Sequence, residues 1–221
     1  MKKYEVILFD LDGTLTNPER GLVSGFIYAL NKVGVPRENF GDLRRFIGPP
    51  LYEMWQAEFG FTPDESEHAI DVFREYYDIY GWWDNELYSG ITDMLASLRT
   101  SGKKLAVATS KPEVTAKKVL SLFGLTEYFD FIAGAVSGTE RHKKSQVIEY
   151  CLENLGVSDK RECAILVGDR IYDAEGAREA GIDSLGVLWG HGSYEEISTC
   201  GFTAFAENTD NVCEMLLGET I

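Results

Sequence analysis

The sequence predicts an α/β protein in which a parallel β-sheet, covered by helices on both faces, carries one inserted all-helical segment. Three observations support this prediction. Short apolar runs without polar interruption alternate with helical patterns along most of the chain, as expected for buried parallel strands joined by helices. One long stretch, residues 19–86, has no strand pattern. Acidic residues or hydroxyls directly follow several apolar runs, where the ligand-binding edge of such a sheet lies.

The first strand is predicted at residues 6–9, an apolar run that is followed by Asp10 and Asp12. Side chains two positions apart on a strand point the same way, so the two carboxylates are expected to lie side by side. Two like charges beside a buried strand are costly unless a cation or hydrogen bonds compensate them. The pair therefore predicts a divalent metal site or a proton-transfer role, and Gly13 allows a sharp turn whose amide can approach an anion.

Residues 19–86 are predicted to form an inserted helical domain. Their helical patterns are broken only at glycine and proline clusters, and the stretch is far longer than an ordinary loop between a strand and a helix. We therefore expect the sheet domain to comprise residues 1–17 and 88–221, and the helical domain residues 18–87.

Strand and helix patterns alternate from residue 88 onward. Strands are predicted at residues 104–109, 131–136, 164–167, 184–188 and 202–205. Helices are predicted at residues 91–100, 112–123, 144–155, 173–180, 194–200 and 210–217. Glycine directly after several of these helices supports the boundaries, because glycine readily takes the left-handed conformation that ends a helix.

Composition and charge exclude several classes of partner. The formal net charge of −15 over 221 residues argues against nucleic acid or an anionic membrane, because both would be repelled. Four cysteines without Cys-x-x-Cys spacing and only three histidines argue against a zinc site. The apolar run before Asp10 is too short for a signal peptide or a membrane span. We therefore expect a cytoplasmic protein with reduced thiols, either a monomer or a homodimer.

The second candidate segment is Thr109-Ser110, at the end of the strand predicted at residues 104–109. Ser110 and Glu113 have the spacing of a capping box, with Pro112 in the first turn, so the strand is expected to run straight into a helix. Backbone amides at a helix N-terminus favour an anion. An N-cap that binds no ligand is the alternative interpretation.

The third candidate is a lysine at the start of the helix predicted at residues 144–155. Positive charges at a helix N-terminus oppose the macrodipole, so a role other than helix stability is expected for at least one of the basic residues there. The spacing to the apolar pair Val147 and Ile148 favours Lys144. Lys143 is the second choice, and a solvated basic patch is the alternative.

The fourth candidate is the acidic pair Asp169 and Asp173, which follows the apolar run at residues 164–167. Carboxylate oxygens are the hard ligands that Mg²⁺ prefers. Asp169 directly follows the strand and is the stronger candidate for a metal ligand. Asp173 has an N-cap role as its alternative.

These four segments, in their order and spacing, resemble the motifs of the haloacid dehalogenase-like hydrolases. The resemblance covers nearly the whole chain and implies a Rossmann-like core with an inserted helical cap. Within this superfamily the insert is similar to that of the phosphoglycolate phosphatase and 5′-nucleotidase-like branch, through residues 46–51 and 87–91. The sequence departs from the pattern of that branch at two places, Thr16-Asn17-Pro18 and Ser89. Both places lie near the expected hinges, so the departures bear on substrate fit more than on the chemistry.

The resemblance implies a Mg²⁺-dependent phosphatase that forms an aspartyl phosphate. In that reading Asp10 is the nucleophile and Asp12 the general acid and base, with Gly13 and Thr14 at the phosphate. Thr109 would bind a phosphoryl oxygen with help from Ser110, and Lys144 would neutralise the nucleophile. Mg²⁺ would lie between Asp10, the backbone carbonyl of Asp12, and Asp169. Asp173 would act directly, through water, or by orienting Lys144.

Residues of the cap are expected to choose the substrate. Arg44 and the turn at Gly48 are the candidates for substrate contacts, and a solvated helix face is the alternative for Arg44 and its neighbour Arg45. Trp82 and Trp83 offer stacking surface, although a place in the cap core is the alternative for both. Cap closure would exclude water during the reaction.

The substrate is expected to be a small phosphorylated metabolite, most simply phosphoglycolate or a nucleoside 5′-monophosphate. A phosphosugar mutase shares the same motifs and stays open as an alternative, as does a binding or regulatory member with weak turnover. Asp12 and Asp169 argue against a dehalogenase. A P-loop kinase is disfavoured because the sequence has no Gly-x-x-x-x-Gly-Lys-Ser/Thr segment.

Overall fold

The computed structural model of the protein describes residues 3–49, 51–136, 139 and 141–218. The chain forms two compact units. The first, which we call the sheet unit, comprises Met1–Asn17 and Leu87–Ile221, and the second, the helical unit, comprises Pro18–Glu86. These bounds differ by one residue from the domain limits expected from the sequence.

The strands and helices of the sheet unit follow the predicted order, and two short strands that were not predicted, Thr16–Asn17 and Glu86–Leu87, pair with each other. In chain order the strands are β1 (Val6–Phe9), β2 (Thr16–Asn17), β3 (Glu86–Leu87), β4 (Lys104–Pro112), β5 (Phe131–Ala135), β6 (Ala164–Gly168), β7 (Asp183–Val187) and β8 (Ala204–Ala206). The α-helices are α1 (Glu19–Lys32), α2 (Leu51–Phe59), α3 (Pro63–Tyr76), α4 (Ile91–Thr100), α5 (Glu113–Leu122), α6 (Lys144–Leu155), α7 (Ile171–Glu179), α8 (Tyr194–Thr199) and α9 (Thr209–Leu217).

Six parallel strands form the main sheet, in the order β5-β4-β1-β6-β7-β8. Val6 and Leu8 of β1 pack in one apolar cluster with residues of α6 and α7. Ile7 and Phe9, which point to the opposite face, are also fully buried. Both faces of the sheet are therefore covered, and the predicted α/β fold class is confirmed.

The register of the central strands aligns the residues that follow them. Phe9 pairs with Val107 of β4 and with Val167 of β6. Asp10, one residue further on, donates its backbone N–H to the carbonyl of Val167. The C-terminal ends of β1, β4 and β6 therefore lie at the same edge of the sheet, where the polar residues of the candidate motifs follow.

The helical unit has a core of its own, built mainly from aromatic side chains. Phe26 of α1 stacks on Phe73 of α3, with ring centroids 5.2 Å apart, and meets Trp55 of α2 edge to face at 6.1 Å. Large aromatic rings bury much apolar area per residue, which suits a small helical unit. Thr62 and Glu65 form a capping box at the start of α3, so the sequence also specifies where that helix begins.

The end of β4 differs from the sequence prediction. The strand extends to Pro112, and α5 begins at Glu113 with Pro112 as its N-cap and no side-chain capping hydrogen bond. The expected capping box from Ser110 is therefore wrong. The reason is an irregularity in the pairing of β4 with β5 between Thr109 and Pro112, which keeps the chain extended for three more residues than predicted.

Among the described residues, no helix combines the length and apolar character needed to cross a membrane. The cytoplasmic location stays a prediction.

The buried hydroxyl of Tyr4 gives a test of the fold. Tyr4 donates a hydrogen bond to Asp183 Oδ2 at 2.8 Å. Burial, followed by the hydrogen bond and charge of Asp183, raises the pKa of Tyr4 to about 12 from its ordinary value of 10.0. The folded state therefore favours the protonated phenol, and this contribution to stability is present below pH 10 and lost as the pH rises towards 12.

Tyr4→Phe is expected to lower the free energy of unfolding by about 1 kcal/mol near neutral pH, because one hydrogen bond is lost. Urea unfolding measured from pH 8 upward should show a steeper loss of stability above pH 10 in the wild type than in Tyr4→Phe. Tyr194→Phe, at a position 71% exposed, is the matched control. Parallel stability profiles for the wild type and Tyr4→Phe would contradict the prediction.

Candidate active site

The end of β1 and the start of α6 place a carboxylate beside a buried ammonium group. Lys144 Nζ lies 2.5 Å from Asp10 Oδ1 and 2.6 Å from Asp173 Oδ1. Burial by itself lowers the pKa of Lys144, but the charges of Asp10 and Asp173 outweigh it and raise that pKa above its usual value. Lys143 is exposed at the N-cap of α6. The structure thus brings the first of the two candidate lysines, Lys144, to Asp10.

Asp12 has a cationic partner that the sequence did not indicate. Lys111 Nζ lies 2.7 Å from Asp12 Oδ2, and the Lys111 side chain is only 4% exposed. Burial raises the pKa of Asp12, and the positive charge of Lys111 partly opposes that rise. Asp12 is therefore held in an ion pair within the site, and its environment still favours the protonated form more than water would.

Thr109 lies in β4, next to β1, and is almost completely buried. Its Oγ1 accepts a hydrogen bond from the backbone N–H of Lys111 at 3.2 Å. Ser110, the expected helper, is exposed. The structure therefore places Thr109, and not Ser110, in the interior at this strand end.

Asp169 is fully buried and is surrounded by backbone and hydroxyl groups. Thr14 Oγ1 donates to Asp169 Oδ1 at 3.3 Å, and the backbone N–H of His191 donates to Asp169 Oδ2 at 2.8 Å. Gly13 has a φ of +88°, and a Cβ atom there would lie 2.1 Å from Asp169 Oδ2. Thr14 thus contacts the Asp169 carboxylate, and the site requires glycine at position 13 for both conformation and space.

Three of the carboxylates are close enough to share one cation. Oxygen atoms of Asp10, Asp169 and Asp173 lie within 4.8 Å of one another. Burial, followed by the negative charges of Asp173 and Asp10, raises the pKa of Asp169 well above its usual range. A divalent cation would offset this repulsion, and the all-oxygen donor set fits Mg²⁺.

Asp173 is already engaged on both of its oxygens. Oδ1 pairs with Lys144, and Oδ2 accepts hydrogen bonds from the backbone N–H groups of Asp169 and Arg170, both at 3.0 Å. Asp173 therefore orients Lys144 and caps the start of α7. Of the three roles that the sequence left open for Asp173, these contacts favour the orienting one.

Of the candidate substrate residues in the helical unit, Arg44 and Trp82 have partners inside that unit. Arg44 makes two side-chain hydrogen bonds to Asp42, at 2.9 and 2.7 Å, and is 62% exposed. Gly48 has a φ of +105°, while Pro50 of the same predicted turn lies outside the described residues. Trp82 packs against the aromatic core, as its alternative interpretation expected, and Trp83 is exposed.

Sequence reasoning missed Lys111 and the loop at residues 189–192. Trp189 Nε1 donates to the carbonyl of Thr14 at 3.1 Å. A Cβ atom on Gly190 would lie 2.4 Å from Asp169 Oδ2, so the loop packs closely around that carboxylate. The signal was present, because Gly190 and Gly192 lie two and four residues after the end of a predicted strand, but it resembled an ordinary turn.

The comparisons with known proteins place the chain in a family. A family model described as haloacid dehalogenase-like hydrolase matches residues 7–187. The chain belongs to this family, and the predicted class, a haloacid dehalogenase-like phosphatase, is confirmed. The chain is 42% identical over 90% of its length to the tyrosine-protein kinase PtkA of Mycobacterium tuberculosis, covering 67% of that protein.

Two further relatives match over most of their length. The chain is 35% identical to a 5′-nucleotidase of Pseudomonas aeruginosa, over 88% of this chain and 87% of that protein. Among solved structures, a predicted phosphatase from Clostridium acetobutylicum superposes with a TM-score of 0.92 at 38% identity, covering 98% of this chain and 100% of the other. The six-stranded sheet with a helical insert is consistent with this structural similarity.

Mg²⁺ is expected to stabilise the protein through Asp169. A ligand at one hundred times its dissociation constant adds about 2.7 kcal/mol to the free energy of unfolding, so thermal unfolding should shift to higher temperature when Mg²⁺ is added. The shift should grow as the pH rises, because burial raises the pKa of Asp169 and metal binding requires the ionised form.

Asp169→Asn should remove most of this shift, and Asp93→Asn, at an exposed position on α4, should keep it. Differential scanning calorimetry with and without Mg²⁺ makes the comparison. A shift of equal size in Asp169→Asn would show that the cation binds elsewhere.

Proposed function

We propose that the protein is a Mg²⁺-dependent phosphatase that hydrolyses a small phosphomonoester through an aspartyl phosphate on Asp10. The observation that carries this proposal is the contact of Lys144 Nζ with Asp10 Oδ1 at 2.5 Å, beside the carboxylate of Asp169. The ammonium group of Lys144 fixes the orientation of the Asp10 carboxylate, as a nucleophile in covalent catalysis requires.

In the first step an oxygen of Asp10 attacks phosphorus, the bond from phosphorus to the leaving oxygen breaks, and Asp12 gives that oxygen its proton. Lys144 neutralises charge on Asp10 and on the transferred group. Thr109 Oγ1 would donate a hydrogen bond to a phosphoryl oxygen. Mg²⁺, held by Asp10, the backbone carbonyl of Asp12 and Asp169, would supply positive charge against the phosphoryl oxygens.

In the second step Asp12 takes a proton from water, whose oxygen attacks phosphorus while the bond from phosphorus to Asp10 breaks. Phosphate leaves, and Asp12 again holds the proton that it needs for the next cycle. The burial that raises the pKa of Asp12 suits this role, because a general acid must be protonated near the working pH.

The substrate we favour is a nucleoside 5′-monophosphate or phosphoglycolate. The relative named 5′-nucleotidase supports the first, and the motifs of the insert support the second. The helical unit is proposed to act as the cap that selects the substrate, with Arg44 and Gly48 as candidate contacts. The net charge of −15 makes a small substrate more plausible than a nucleic-acid polymer.

A second candidate function is transfer of the phosphoryl group from Asp10 to a hydroxyl other than that of water. The 42% identical relative named tyrosine-protein kinase favours it. The same aspartyl phosphate would then be attacked by a tyrosine hydroxyl, with Asp12 as the base. A phosphosugar mutase would use a sugar hydroxyl in the same position.

Asp10→Asn is expected to abolish phosphate release, because the amide cannot form the covalent intermediate, while the fold survives because Lys144 keeps its pair with Asp173. The variant and the wild type should be assayed with Mg²⁺ against phosphoglycolate, nucleoside monophosphates, pyrophosphate and sugar phosphates. Acid quenching with ³²P-labelled substrate should trap a hydroxylamine-sensitive phosphoprotein only when Asp10 is present.

Asp93→Asn is the matched control and should keep full activity. Retained turnover in Asp10→Asn would remove the mechanism. If the ³²P moves to a tyrosine hydroxyl or to a second sugar position and no free phosphate is released, the result would support phosphoryl transfer over hydrolysis.

A further inference from the structure

A bulge in β4 brings a second lysine into the active site. The pair Thr109–Gly134 in the β4–β5 ladder is followed directly by the pair Pro112–Ala135, so β4 contains two extra residues between them. Bulges of this kind change the direction of side chains and are common next to active sites. Lys111, the second extra residue, is buried, although lysine is almost never buried without a partner.

Gly134 allows the neighbouring strand to approach this bulge. A Cβ atom at position 134 would lie 2.5 Å from the backbone oxygen of Lys111 and 2.6 Å from Cα of Glu113. Both contacts are with backbone atoms, which cannot move aside as the end of a side chain can. The position of Lys111 therefore depends on glycine in the facing strand.

Lys111 contacts two groups of the proposed machinery. Its backbone N–H donates to Thr109 Oγ1 at 3.2 Å, and its Nζ donates to Asp12 Oδ2 at 2.7 Å. The other carboxylate oxygen, Asp12 Oδ1, is buried and accepts no hydrogen bond from any described residue. One oxygen of Asp12 is thus fixed, and the other is left for a ligand.

We propose that Lys111 is a positioning residue for Asp12. Its ammonium group holds Oδ2, so that Oδ1 is presented first to the leaving oxygen and then to the attacking water. This inference rests on the proposed function, because it assigns Lys111 a task in the same reaction. Lys144 has a separate task, since its contacts are with Asp10 and Asp173.

The dependence of the rate on the leaving group separates this role from a structural one. In a reaction through a covalent intermediate, kcat/KM reports the steps up to formation of that intermediate. A poor leaving group such as phenolate needs the proton from Asp12 as its bond to phosphorus breaks, whereas 4-nitrophenolate needs it much less. Misplacement of Asp12 should therefore harm phenyl phosphate far more than 4-nitrophenyl phosphate.

Lys111→Met is expected to lower kcat/KM about 10-fold to 100-fold for phenyl phosphate, and less than about threefold for 4-nitrophenyl phosphate, because only part of the general-acid contribution is lost. Lys111→Arg should restore most of the activity on phenyl phosphate, because it can still pair with Asp12. Gly134→Ala, which displaces the bulge, should show the same selective loss of kcat/KM for phenyl phosphate. This variant replaces Lys111→Met in the comparison if Lys111→Met does not fold.

Lys117→Met is the matched control, because Lys117 is 52% exposed and pairs with Glu113 on the surface of α5; both substrates should react as in the wild type. An equal loss on both substrates in Lys111→Met, or no loss, would overturn the positioning role. A wild-type protein that releases no phosphate from either substrate would overturn the proposed function itself, and the role of Lys111 with it.

Discussion

The site depends on one electrostatic constraint, which is that several carboxylates lie buried together and must be compensated. Within the described part of the chain, two ammonium groups, those of Lys111 and Lys144, pair with the carboxylates of Asp10, Asp12 and Asp173, and Asp169 lies beside them. With every group ionised, this set carries two uncompensated negative charges. A divalent cation would supply the missing charge. Burial and the neighbouring carboxylates raise the pKa of Asp169 well above its usual range.

The parallel sheet makes this concentration of charge possible. Because β1 lies between β4 and β6 with Phe9 level with Val107 and Val167, residues that are far apart in sequence end at one edge. Asp10 and Asp169 lie directly beyond the ends of β1 and β6, and Lys111 lies in the last residues of β4. Gly13 then lets the turn after β1 approach Asp169 more closely than any side chain would allow.

Most of this arrangement is encoded in local patterns and could be predicted. Asp10 and Asp169 follow uninterrupted apolar runs, and the rule that parallel strands present ligands at their C-terminal ends predicts where they meet. Motif matching alone could not separate Lys143 from Lys144, because that choice depends on which way the first residues of α6 face; the spacing to Val147 and Ile148 favoured Lys144. Lys111 was missed for two reasons. A bulge changes the alternation of side chains along a strand but is not visible in the hydrophobic pattern. In addition, Ser110 and Glu113 have the spacing of a capping box, which predicted a helix start at this place.

Fold stability does not explain why two lysines are buried here. The desolvation of a buried ion pair can exceed the attraction between its charges, and apolar replacements of such pairs are often neutral or stabilising. Lys144 also lies at the N-terminal end of α6, where a positive charge opposes the helix macrodipole, and Lys111 requires an interruption of the β4–β5 ladder. Both lysines are thus placed against local preferences of the backbone. The proposed chemistry explains them better, because one lysine contacts the carboxylate proposed to attack phosphorus and the other contacts the carboxylate proposed to move protons.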